Sequence, residues 1–200
     1  MTSTEGYFIR FIAITTLIGI FSVVQAGSAS EDPNASLEAA NESFLKHDTK
    51  AAEAYIHKAG EAIRKEGAKA GAKSKEAFDK IADETDKLAK DVKSGAVKTN
   101  ADLKKRFAKI NHSLAKTWHK VAGEANDAGE DTKEAMKKAA HSVSAAADWT
   151  GTKLKAGTHK TVEEVKGWPD DAEVAADKAG AWFKGIGDGI KDVGQNIQDD

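Results

Sequence analysis

Six histidines, His47, His57, His112, His119, His141 and His159, are the side chains of this 200-residue sequence best suited to hold a metal ion or a haem iron. His112 and His119 stand seven residues apart and so share one helical face. Seven residues rise about 10.5 Å, whereas two donors on one helix meet a single ion when they are three or four apart. Binding through His112, His119 or His141 therefore needs ligands from neighbouring helices, and a haem needs one histidine from each of two. The competing reading makes them solvated or interhelical structural histidines. With Ile110 at the centre of an apolar seam, His112 and His119 fall at the edge where Ala108 and Ala115 give way to Lys105 and Lys116. The structural reading is the expectation, with no cofactor.

Catalytic spacing is missing elsewhere. The sequence contains no G-x-S-x-G, H-E-x-x-H, P-loop or dinucleotide fingerprint, and Gly185, Gly187 and Gly189 follow no predicted strand that would turn them into a phosphate cradle. Asp170 with Asp171 opens a predicted helix and Asp199 with Asp200 ends the chain, so dipole complementarity and solvation account for both pairs. Cysteine is absent, which excludes disulfides, thiolate metal sites and haem attachment through C-x-x-C-H. The reading is a protein that is not an enzyme.

Two further features bear on binding. On a helical wheel Ala172, Ala175, Ala179, Trp182, Phe183, Ile186, Ile190, Val193 and Ile197 fall within about 100°, with Lys184, Asp188, Lys191 and Gln195 opposite. Such a stripe needs an apolar partner: it closes a bundle, or it docks on another protein or a membrane surface through Trp182, Phe183, Ile186, Ile190, Val193 and Ile197. Gly185, Gly187, Gly189 and Gly194 each lower helicity by roughly 1 kcal/mol relative to Ala, so the segment gains its order on contact. Trp149 lies off its own helix's seam among small residues, where it covers a second neighbour or lines a ligand groove.

The elements that must position these side chains are helices. Ala contributes 36 residues and Lys 27 against 2 Pro, and strand-forming residues are scarce, so the fold class is all-α. The expected architecture is an elongated antiparallel bundle of about four to six helices over 34–168, followed by a C-terminal amphipathic helix over 169–200. Asn34 or Ser36 caps a short helix bearing Leu37, Ala40 and Phe44, and His47-Asp48 breaks it. Ala52, Ile56, Ala59, Ile63 and Ala70 line the next segment, and Phe78, Ile81, Leu88 and Val92 line a third that stops at Gly95. Thr99 or Asn100 caps the strongest seam, Leu103, Phe107, Ile110, Leu114, Trp118 and Val121. A loop over 123–129 leads to Asp131 and Glu134, spaced as a capping box ahead of one long helix through Met136, Val143, Leu154, Val162 and Val165 towards Trp168. Pro169 forces the last boundary.

Residues 1–26 read as a cleaved signal peptide. Arg10 precedes an uncharged run from Phe11 to Val24, and Val24-Gln25-Ala26 places small residues where a signal peptidase reads them. That run spans about 21 Å as a helix, short of a hydrocarbon core of about 30 Å. Cleavage after Ala26, a polar leader over 27–33 and a periplasmic or secreted location follow as expectations. The formal charge of -2 gives no bulk attraction to nucleic acid.

The run Ala40-Asn41-Glu42-Ser43-Phe44-Leu45-Lys46-His47-Asp48, followed by Ala51, Ala52, Tyr55 and Ala59, resembles the helix-turn-helix of tetratricopeptide-like and YfdX-like exported bacterial proteins. The Ala, Lys, Glu and Gly mixture of 57–93 is similar in composition to late-embryogenesis-abundant proteins and exchangeable apolipoproteins. Export, helical economy and the absence of catalytic motifs point to a non-enzymatic envelope protein that acts by binding or shielding, with a stress-related role as one expectation. A histidine-dependent metal or haem carrier and a peripheral lipid-binding protein are the alternatives.

Overall fold

The computed structural model describes residues 32–128, 131–169 and 176–198, so the expected leader over 1–26, most of the polar stretch after it, and Ala172 and Ala175 lie outside the described residues. The described chain is an all-α bundle of seven helices: α1 Pro33–Leu45, α2 Thr49–Lys69, α3 Ala72–Lys93, α4 Asn100–Asp127, α5 Lys133–Thr150, α6 Ala156–Lys166 and α7 Ala176–Gln198.

Helix ends follow local chemistry. The Asp32 carboxylate accepts from the Asn34 N–H at 2.9 Å, and Pro33 occupies the first turn, where its missing N–H leaves no orphan donor. Asp32 and Pro33, expected in the leader, therefore start α1, and Asp32 is the cap in place of Asn34 or Ser36. Asp48 caps α2 through the Ala51 N–H at 2.9 Å, and Thr99 caps α4 through the Asp102 N–H at 3.1 Å. Three helices end by one device, a left-handed residue followed by an N–H reaching back five residues: His47 at φ 60° then Asp48 to Ser43, Gly95 at φ 74° then Ala96 to Asp91, and Gly151 at φ 67° then Thr152 to Ala147. His47 is the non-glycine among them.

Two expected boundaries move. The loop predicted from Gly123 is helix as far as Asp127, because Ala122 is fully buried and the helical ladder continues beyond it. The long helix predicted from Asp131 to Trp168 is two, since Gly151 adopts the left-handed conformation and reverses the chain. Thus the apolar spacing that carried Val162 and Val165 into the same seam belongs to α6, which folds back so that the Lys166 ammonium meets the Ser144 hydroxyl of α5 at 3.1 Å. The Asp131 carboxylate accepts from the Lys133 N–H at 2.8 Å, but Thr132 is the cap residue and no capping box forms.

Neighbouring helices run antiparallel. Across α2 and α3, Lys93 meets Glu53 at 2.8 Å while Arg64 meets Asp83 at 2.7 Å and Asp86 at 2.6 Å. Gly67 of α2 lies against Phe78, where an added Cβ would come within 2.5 Å of the Phe78 Cβ, so glycine sets that approach. Across α4 and α5, Phe107 packs edge-on against Trp149 with centroids 5.2 Å apart. Phe78, Phe107, Leu103, Leu114, Met136, Ile186 and Val143 form one continuous core, fully buried or nearly so, and among the described residues Leu45 is the large apolar side chain left mostly exposed.

Candidate functional site

The seven-residue spacing of His112 and His119 meets an equal spacing on α7. The His112 Nε2–H donates to the Ile190 carbonyl at 3.0 Å, and the His119 Nε2–H donates to the Phe183 carbonyl at 3.0 Å. A carbonyl is only an acceptor, so the proton sits on Nε2 in both rings. In a helix the oxygen of residue i lies beside the side chain of residue i+4. Here those positions are Gly187 and Gly194, and each faces a ring: an added Cβ at Gly187 would sit 3.6 Å from His119 Nε2, and at Gly194 only 2.9 Å from His112 Nε2. The missing side chain at Gly194 opens the Ile190 carbonyl to His112, Gly187 leaves room for ordinary contact beside His119, and the two bonds fix α4 and α7 in one antiparallel register.

The apolar stripe of α7 faces the bundle. Ile186 and Val193 are fully buried or nearly so, Ile197 is 8% exposed, and Ile190, Trp182 and Phe183 pack partly buried against the core. Trp182 stacks edge-on with Trp168 at 4.6 Å and donates from its indole to Glu164 at 3.2 Å, while Phe183 meets the His119 ring at 5.6 Å. Gly185 packs against Thr161 and Gly189 against Val143 and Thr158, so these glycines also mark close approaches. The six residues expected to contact a membrane or partner are accordingly engaged with α4, α5 and α6 in this structure.

A second cluster forms where four helices meet at Trp118. Phe78 of α3 packs edge-on against its ring at 4.8 Å, and Lys138 of α5 sits over the ring at 4.4 Å from the centroid. Lys138 also pairs with Glu66 of α2 at 3.3 Å and with Glu134 at 3.1 Å. Burial pushes the Glu66 carboxyl above the usual carboxylate range, and the Lys138 charge only partly offsets it. Glu66 follows Ile63 by three residues on the buried face of α2, which was a legible sign of a carboxylate held in the interior.

From this cluster an open trough runs along α5 beside the start of α1. One lobe, of about 320 Å³, is walled by Trp118, Lys138, Glu66 and Lys65, and the next, of about 400 Å³, by Trp149, Asp148, Glu38 and Lys104. Asp32, Asn34 and His141 belong to both. The Asn34 Oδ1 is buried there without a hydrogen-bond partner. Burial lowers the His141 imidazole below its ordinary value, and the nearby Lys166 charge adds to this. Trp149 takes both roles open to it, covering Phe107 with one edge and walling the trough.

His112, His119 and His141 are not brought together: the first two face α7 and the third faces α1. Among the described residues no three histidine, aspartate or glutamate side chains converge in a way that could hold a metal ion. His57 instead meets Asp86 through Nδ1 at 2.7 Å, beside Arg64. No described helix is long and apolar enough to cross a membrane. No protein-family model, curated protein or solved structure matches the chain.

Proposed function

We propose that the protein is an exported, non-enzymatic helical protein of the cell envelope, periplasmic or secreted, that acts by binding at the trough between α1, α2, α4, α5 and α6. The observation that carries this reading is the convergence there of two indoles, one imidazole and charges of both signs around lobes of about 320 and 400 Å³. The sequence carries none of the catalytic fingerprints tested for, which favours capture of a molecule over its conversion. Export rests on the basic start, uncharged run and small-residue cleavage pattern of residues 1–26.

Native mass spectrometry of the mature chain, purified from the envelope fraction of its own host, tests the reading. Ala145 lines the trough and is half-buried, so Ala145→Trp fills the space without entering the core. The expected result is a small bound molecule on the wild-type chain that Ala145→Trp loses at an unchanged thermal midpoint. Bare protein in both cases overturns it.

A further inference from the structure

α7 packs on α4, α5 and α6, whereas α1, α2 and α3 build on one another and on α4. Phe78 with Trp118 and Phe107 with Trp149 join α3, α4 and α5 through contacts in which α7 has no part. α7 itself carries Gly180, Gly185, Gly187, Gly189 and Gly194, which together leave it little helicity of its own. An element that holds its shape only while docked opens at lower free energy than the seams beneath it.

One of the contacts that seat α7 ends on a group that titrates near neutral pH. His112 of α4 is partly buried, its Nε2–H donates to the Ile190 carbonyl at 3.0 Å, and the Gly194 backbone lies so near that an added Cβ would stand 2.9 Å from Nε2. Docked α7 thus shields the ring from water. Lys116 stands one turn further along α4, while on α7 Asp188 pairs with Lys184 at 2.7 Å, Asp192 pairs with Lys155 at 2.8 Å, and Lys191 is exposed. Among the described residues no carboxylate therefore offsets the burial of a charged ring. Burial holds the imidazole below its ordinary value, the Ile190 carbonyl opposes this and Lys116 reinforces it. Opening of α7 returns the ring to water. Below the ordinary histidine value of about 6.5, the opened state then binds a proton that the docked state refuses, so acid favours opening.

We propose that α7 is a pH-linked strap: it opens from α4, α5 and α6 while α2, α3, α4 and α5 stay folded, and the opening takes up a proton at His112. Opening uncovers Ile186, Val193 and Ile197 together with the faces on which they lie, so apolar surface becomes available on acidification without loss of the bundle.

Hydrogen–deuterium exchange of the full mature chain, followed by mass spectrometry from pH 7.5 to 5.5 and corrected for the intrinsic exchange rate at each pH, tests this. The amides of α7 should exchange through an opening that leaves α2 and α3 protected. Their protection should fall by up to about tenfold per pH unit below about 6.5, the slope of one linked proton. His112→Gln should flatten that slope. Lys116→Glu, at an exposed position, puts a carboxylate beside the ring and raises its docked value, so it should flatten the slope even if His112→Gln fails to fold. Three results overturn the inference: α7 losing protection only together with α2 and α3, α7 protection that does not change with pH, or an unchanged slope in Lys116→Glu or in a folded His112→Gln.

Discussion

The His112 ring N–H reaches the Ile190 carbonyl oxygen across 3.0 Å, and the position four residues further along α7 is Gly194. The same pairing recurs one heptad away with His119, Phe183 and Gly187. Two polar bonds are thereby inserted into an apolar interface that Ile186 and Val193 would otherwise leave free to slide. A glycine-rich segment with little helicity of its own is held as the last helix where α4 presents two ring donors to its carbonyls.

The glycines of α7 should respond to alanine according to what each faces. Gly180 has open space around it and Gly187 offers ordinary contact at 3.6 Å, so Gly180→Ala and Gly187→Ala should stabilise by up to about 1 kcal/mol through helix propensity. At Gly185 an added Cβ would lie 2.6 Å from Thr161 Cγ2, so Gly185→Ala should destabilise by about 1–3 kcal/mol. Urea denaturation of the three variants checks this, and a uniform gain would show that α7 does not dock as described.

Stability should fall on mild acidification. Burial holds the His112 imidazole below its ordinary value, the Ile190 carbonyl opposes that and Lys116 reinforces it, while His141 is lowered chiefly by burial. Between the unfolded and folded values the unfolded chain binds the proton and the fold does not. The stabilisation is therefore complete above about pH 6.5 and is lost as pH drops through that window. His112→Gln keeps a donor without a titrating group and should shallow the slope of thermal midpoint against pH. Glu66 acts in the opposite sense: its raised folded value makes stability fall as pH rises through the window above about 4.3.

Phe107 is fully buried and carries Trp149 on its edge. Phe107→Ala should cost about 3–5 kcal/mol and shift Trp149 emission to the red as its support is withdrawn. An unchanged thermal midpoint would show that the α4 seam is not core.

Removal of α7 uncovers the faces of α4, α5 and α6 on which Ile186, Val193 and Ile197 lie. A chain truncated before Asp170 should lose a large part of its thermal stability, and neither it nor the full mature chain should float with liposomes. Flotation of the full chain, abolished by truncation, would support a membrane role for the stripe instead.

Much of this architecture was legible in residue spacing. The seams of α2, α3 and α4 are the i, i+3, i+4 positions of Ile56 to Ile63, Phe78 to Val92 and Leu103 to Trp118, and all of these side chains are buried. Where the spacing misled, a single glycine was responsible: Gly151 turns left-handed at a point where the apolar period runs on into α6. At α1 the cap lies two residues before Asn34, the nearer of the two expected caps, since a proline in the first helical turn shifts the boundary towards its N-terminal neighbour. The histidine contacts were half legible. His112 with His119 and Gly187 with Gly194 share a seven-residue interval, but the acceptors are backbone carbonyls, which every residue carries and no sequence marks. The trough was the least legible feature, because its walls come from five helices and only Trp149 stood out by its position off the seam.

Long-range ¹H–¹⁵N spectra of the histidine side chains in the full mature chain, with and without Zn²⁺ or haem, test most directly whether these residues serve architecture or ligand binding. The expected result is Nε2-protonated rings for His112 and His119, with resonances unmoved by either addition at equimolar amounts. Nδ1-protonated rings, or resonances lost or shifted on addition of Zn²⁺ or haem, would contradict it.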